Sequence, residues 1–112
     1  MAPFKATVVE GVGPDAAVVT DPDTGAKQSQ VSRRCDLLPP LAMLQVAAVL
    51  HDGASKYGDW NWVHIPTRDH LNHALIHIFA FLAGDASDDH IGNAACRMMM
   101  ALERQLIYQQ SE

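Results

Sequence analysis

The chain has 112 residues and a formal net charge of −5, with 48% apolar and 19% charged side chains. This is one domain's worth of chain, able to bury a modest core, and its apolar content excludes disorder beyond the termini. The acidic balance leaves no basic patch for a nucleic-acid backbone, although a nucleotide needs only one or two local cations or a metal.

Residues 1–34 read as an N-terminal arm. Phe4 to Glu10 and Ala16 to Thr20 are short β-branched runs on either side of Gly11 to Asp15, the pattern of a hairpin or extended segment. Asp21-Pro22-Asp23-Thr24-Gly25 is a strong turn, because proline presets φ and glycine accepts positive φ. Ala26 to Arg34 is polar and reads as a loop. Residues 35–112 read as a single α-helical unit.

A first helix is expected from Pro39-Pro40, capped by Asp36 or a neighbour, since proline is tolerated in a first turn. Leu41, Leu44, Val46, Val49 and Leu50 carry it toward Gly53, and Ala54 to Tyr57 can add a turn. A second helix is expected from Pro66-Thr67 to Ala83, stopped by Gly84. A third is expected from Ser87 as N-cap, with Asp88 and Asp89 on its dipole, through Met98, Leu102 and Leu106 toward Tyr108. The fold class is therefore mainly α, a bundle of about three helices with an N-terminal arm or hairpin.

No Asp, Glu, Lys or Arg lies between His70 and Gly84. At about 100° per residue, Leu71, Leu75, Ile78 and Leu82 form one apolar stripe, with His70, His73 and His77 nearly opposite. A helix apolar on most sides is buried on more than one side, so completion by a homo-oligomeric partner is expected. Each histidine alone reads as a hydrogen-bonded packing residue. Three at i, i+3 and i+7 share a face and raise a functional reading beside that one.

Five of the six histidines and six of the thirteen acidic residues fall between Asp52 and Asn93, so any site is sought there. Asp85, Asp88 and Asp89 occupy the second interhelical turn, with His90 and Asn93 after them. Carboxylates there suit Mg²⁺ or Mn²⁺, while imidazoles of His73, His77 or His90 would favour a transition metal. Capping of the third helix is the plainer role for the same aspartates. Asp89, Asn93 and Arg97 align at i, i+4 and i+8, either facing the histidines or forming a salt-bridged surface.

Gly53-Ala54-Ser55-Lys56-Tyr57-Gly58 is too short for a Walker A loop, yet Lys56 can neutralise a phosphate. Trp60 and Trp62 flank Asn61, so one ring can pack and the other stack on a base while Asn61 reads a base or sugar edge. Cys35 and Cys96 lack zinc or redox spacing and read as free thiols, as in a cytoplasmic protein. No apolar run approaches the roughly 20 residues of a bilayer span, and no signal peptide is visible.

The ordered set Thr24-Gly25-Ala26-Lys27-Gln28, Asp36-Leu37-Leu38-Pro39, Gly53 to Gly58 with Asn61-Trp62, Arg68-Asp69-His70, His73-Ala74-Leu75, Gly84-Asp85 and Asp88-Asp89-His90 resembles a known family. It is similar, over roughly residues 24–104, to the phage-encoded dATP/dGTP diphosphohydrolase N-terminal domain family, considered alongside the all-α MazG-like pyrophosphohydrolases. The resemblance implies an oligomeric, metal-dependent protein that hydrolyses a purine deoxynucleoside triphosphate to monophosphate and pyrophosphate. Lys56, Tyr57 and Asn61 fall in the family's Lys-Tyr-Gly…Asn-Trp motif, His77 matches a helix histidine, Asp85 an acidic position and His90 the next helix's histidine. Two departures stand out: the MazG-type Glu-x-x-Glu and Glu-x-x-Asp pairs are absent, and Asn93 stands where relatives often carry a second histidine.

The expected site therefore has Asp85, Asp89 and His77 in catalysis, and Asp85, Asp88, Asp89 and His90 toward Mg²⁺ or Mn²⁺. Lys56, Tyr57, Asn61, Trp62, His73, Asn93 and Arg97 are expected on the nucleotide. The missing glutamates motivate an alternative, a phage protein that sequesters a nucleotide, such as a host defence signal, without chemistry. A third reading is an interaction protein whose histidines only pack an interface.

Overall fold

The structure is a computed structural model describing residues 2–4 and 9–111. It divides into two compact units, residues 9–38 and residues 39–111 together with 2–4.

The first unit is built on a short antiparallel hairpin, β1 (Val18–Thr20) and β2 (Lys27–Ser29), in the register Val18↔Ser29, Val19↔Gln28, Thr20↔Lys27. The Asp21–Gly25 turn closes it. Asp21 Oδ1 accepts the backbone N–H groups of Asp23 and Thr24 at 2.8 and 2.9 Å, and Gly25 takes φ +75°. The pairing differs from the expectation in one respect. The strand partner of Val18–Thr20 comes from the polar stretch after the turn, expected as a loop. Neither strand buries a face, so no apolar alternation marks Lys27–Ser29. The expected Phe4–Glu10 run falls largely on residues 5–8, outside the described residues. Ser32 Oγ donates to both carboxylate oxygens of Glu10, at 2.8 and 3.0 Å.

The second unit is three helices: α1 (Pro40–Tyr57), α2 (Thr67–Leu82) and α3 (His90–Ser111). A short 3₁₀ turn, Asn61–His64, joins the first two. The long α3 packs against both α1 and, more extensively, α2. The α1 helix runs without a break through Ala54–Tyr57 until Gly58, at φ +95°, ends it. Its N-cap is Pro39 without a side-chain hydrogen bond. Asp36 is instead paired to Arg34 at 2.8 Å and caps nothing there.

The core is small: Val46, Ala74, Ala94, Cys96 and Ala101 are its buried apolar members. Arg104 fastens it. Its Nε donates to Thr67 Oγ1 at 3.2 Å, its Nη1 to the Val63 carbonyl, and its Nη2 to the Tyr108 hydroxyl at 3.1 Å. One buried guanidinium thus ties the start of α2 and the 3₁₀ turn to α3. The apolar stripe Leu71, Leu75, Ile78 and Leu82 is exposed in the single chain, Leu82 at 72%, and neighbouring Phe79 is 64% exposed. No helix is long and apolar enough to cross a membrane among the described residues. Cys35 and Cys96 are both free.

Candidate nucleotide site

The turn between α2 and α3 fixes the site's acidic groups. The α2 helix ends in a Schellman motif: Gly84 N–H bonds the Phe81 carbonyl and Asp85 N–H the Ala80 carbonyl, both at 3.0 Å. This needs the left-handed φ of +87° that Gly84 supplies. Asp85 is thereby pinned at its backbone. Its Oδ1 accepts Ser87 Oγ at 2.5 Å, Ser87 N at 2.9 Å and His90 Nε2 at 2.8 Å. These donors, Ser87 foremost and then His90, hold the Asp85 carboxyl far below the usual carboxylate range.

Ser87 was expected to cap the third helix, but the cap is Asp89. Asp89 Oδ1 accepts Gly92 N–H at 3.0 Å, and its carbonyl accepts Asn93 N–H at 2.9 Å. The helix starts at His90 because Ser87 is already engaged with Asp85. Asp89 Oδ2 also accepts Gln45 Nε2 at 2.7 Å, which ties α1 to the start of α3. The Gly92 N–H, followed by Gln45, keeps the Asp89 carboxyl low. A Cβ at Gly92 would overlap this carboxylate, so the glycine leaves room for the aspartate.

His90 is 7% exposed and joins Asp85 to α2. Its second ring nitrogen, Nδ1, lies 3.0 Å from His77 Nδ1. Both nitrogens of His90 are therefore occupied by the protein, leaving none for the metal role expected of it.

Three stretches expected to form one site line a single groove of about 610 Å³. Lys56, Tyr57, Asn61 and Trp62 come from the end of α1 and the turn after it. His73 and His77 come from α2. Asp88, Asp89, Asn93 and Arg97 come from the second turn and α3. Asp85 and His90 are not on its wall; they stand behind His77. The Trp60 backbone adopts a left-handed φ of +63°, uncommon for a bulky residue, and leads into the 3₁₀ turn. Its ring lies 5.7 Å from Phe4 and 5.9 Å from Trp62.

His70, expected on one stripe with His73 and His77, parts from them. It is fully buried, bonding the Trp62 carbonyl through Nε2 at 2.9 Å and Arg97 Nη1 through Nδ1 at 3.1 Å. Since a carbonyl only accepts and a guanidinium only donates, His70 is neutral with its proton on Nε2. Burial pushes its pKa down from 6.5, which agrees with this. His70 thus holds both the tryptophan turn and the groove's arginine. Gln45 and Gly92 were not anticipated at all, because each matters only through Asp89.

Among the described residues, no three His, Cys, Asp or Glu side chains gather as a metal shell. The groove is lined by four carboxylates, Asp52 from α1, Asp59 from the turn after it, and the adjacent pair Asp88 and Asp89 at the start of α3. Asp88 Oδ1 accepts Asp89 N–H at 2.8 Å, and no hydrogen bond engages its Oδ2 among the described residues. The adjacent pair suits a Mg²⁺ ion that takes its remaining ligands from water and phosphates, and not a fully caged metal.

The model of the family described as dATP/dGTP diphosphohydrolase, N-terminal, matches residues 22–112. The chain belongs to that family. No curated protein and no solved structure matches it. The family match spans all three helices and the whole groove, so the converging residues are those of the family's own domain.

Proposed function

We propose that the groove binds a purine deoxynucleoside triphosphate and hydrolyses it to the monophosphate and pyrophosphate. The observation that carries this reading is the convergence of Lys56, Asn61, the tryptophans, Arg97 and the Asp88/Asp89 pair on one groove within a domain of this family. Its volume lies within the roughly 300–1,000 Å³ usual for small-molecule sites. Lys56 and Arg97 supply positive charge for phosphates, a tryptophan supplies a stacking face, and Asn61 supplies base or sugar hydrogen bonds.

Asp88 and Asp89 would hold a divalent cation, Mg²⁺ or Mn²⁺, arriving with the nucleotide. That ion would neutralise phosphate charge. Lys56, Arg97, Asn61 and the tryptophans orient the nucleotide along the groove.

The exposed apolar stripe of α2 supports a homo-oligomer in which a second copy covers Leu71, Leu75, Ile78 and Leu82. We read the protein as a soluble phage enzyme working in the host cytoplasm without binding nucleic acid directly. Pyrophosphate release from dATP or dGTP with Mg²⁺ or Mn²⁺ tests the function. No release from any deoxynucleoside triphosphate would rule out catalysis.

The groove's carboxylates do not gather into a three-ligand shell among the described residues, which favours a second reading: the groove retains a nucleotide without cleaving it. A ligand recovered intact after heat release would support retention, and a recovered monophosphate would not.

A further inference from the structure

We infer that Asp85 and His90 are positioning residues that fix His77 as its Nδ1–H tautomer, so that its unprotonated Nε2 is the groove's proton acceptor for an attacking water. This deepens the nucleotide-hydrolysis reading and rests on it.

The hydrogen-bond directions follow from the acid end. A carboxylate only accepts, so His90 Nε2, 2.8 Å from Asp85 Oδ1, must carry a proton. In a neutral His90 ring the other nitrogen, Nδ1, is then an acceptor. His77 Nδ1, 3.0 Å away, must donate to it. That leaves the lone pair on His77 Nε2, which makes no hydrogen bond among the described residues. This is the reverse of the tautomer an unrestrained imidazole prefers in water, so the chain is using structure to impose it.

The device is rigidly anchored. Asp85 is held by the Schellman turn and by Ser87, and His90 is buried in the first turn of α3. His73 lines the same groove, yet no hydrogen bond within the described residues fixes its ring. Of the two groove histidines, His77 alone is therefore oriented and given a defined free nitrogen.

In the proposed step a water O–H bond breaks and its proton passes to His77 Nε2. The water oxygen bonds to the α-phosphorus. The bond from that phosphorus to the bridging oxygen breaks, and pyrophosphate leaves with the electron pair.

The test is long-range ¹H–¹⁵N NMR on the full chain labelled at histidine, near pH 8, joined to kinetics with dGTP and Mg²⁺. The expected spectrum shows His77 protonated at Nδ1 and His90 at Nε2, with Asp85→Ala moving His77 toward the Nε2–H form. His77→Gln should lower kcat by about 100-fold or more and Asp85→Ala by about tenfold, with KM changing less than about threefold. A wild-type His77 protonated at Nε2, the arrangement a doubly protonated His90 would impose, overturns the inference. So does wild-type kcat in His77→Gln. The expected tautomer in a protein that cleaves no deoxynucleoside triphosphate would overturn the hydrolytic reading, and the proton-acceptor role with it, while leaving the relay intact.

Discussion

His77 and His90 meet Nδ1 to Nδ1 at 3.0 Å, one on α2 and the other in the first turn of α3. Through this contact the aspartate that closes the interhelical turn reaches the wall of the groove without lining it. The carboxylates of the turn therefore divide their work. Asp85 faces back toward the histidines, whereas Asp88 and Asp89 face the groove.

Gly92→Ala should behave against its helix propensity. Alanine is ordinarily better than glycine within a helix by about 1 kcal/mol. Here the added Cβ displaces the Asp89 carboxylate from Gly92 N–H and Gln45. We expect a lower Tm and reduced nucleotide turnover. A Tm above that of the unaltered protein would show that Asp89 moves aside without loss.

Arg104→Ala removes the clamp between α3 and the start of α2, leaving the Val63 carbonyl without that donor. A loss of about 2–3 kcal/mol in urea unfolding is expected, set by a lost charged hydrogen-bond cluster and the packing of the stem. Arg104→Lys should recover only part of it, because an ammonium cannot reproduce the planar fork. Full recovery by lysine would argue against the geometric role.

Stability should fall on mild acidification because of His70. Its folded pKa lies below 6.5, so the unfolded chain binds a proton that the folded chain resists. The contribution of His70 is complete above about pH 6.5 and is lost as pH falls from there toward the folded pKa. The Tm of the unaltered protein should drop more steeply between about pH 7.5 and 5.5 than that of His70→Gln. Parallel slopes in the two proteins would assign the acid sensitivity elsewhere.

Leu75→Glu places a charge on the exposed stripe of α2. If a second copy covers this stripe, sedimentation equilibrium should give an assembly for the unaltered protein and a single chain for the variant. A unaltered protein that sediments as one chain would remove the homo-oligomer from the account.

The helices were legible because apolar periodicity and glycine stops act locally: Gly84 ends α2 as expected, whereas α1 runs through Gly53 and ends only at Gly58. The grouping of Lys56, Asn61, His73, His77 and Asp89 was legible from motif order and resemblance. The roles within the group were not. His70, His73 and His77 share one helical stripe in sequence, but the tryptophan turn covers the first and leaves the third on the groove. The Ser87 cap was misplaced by two residues because any of several polar residues can cap, and the choice depends on Asp85. Lys27–Ser29 carried no strand signal because its partner strand is equally exposed.

The most direct test of the central claim is thermal melting with dATP or dGTP and Mg²⁺, on the unaltered protein and on Lys56→Ala. Binding to the folded state at a hundred times Kd stabilises it by about 2.7 kcal/mol, a rise of several degrees in Tm. That rise is expected for the unaltered protein, and a much smaller one for Lys56→Ala at the same nucleotide concentration. No rise with either purine nucleotide, or an equal rise in Lys56→Ala, would contradict it.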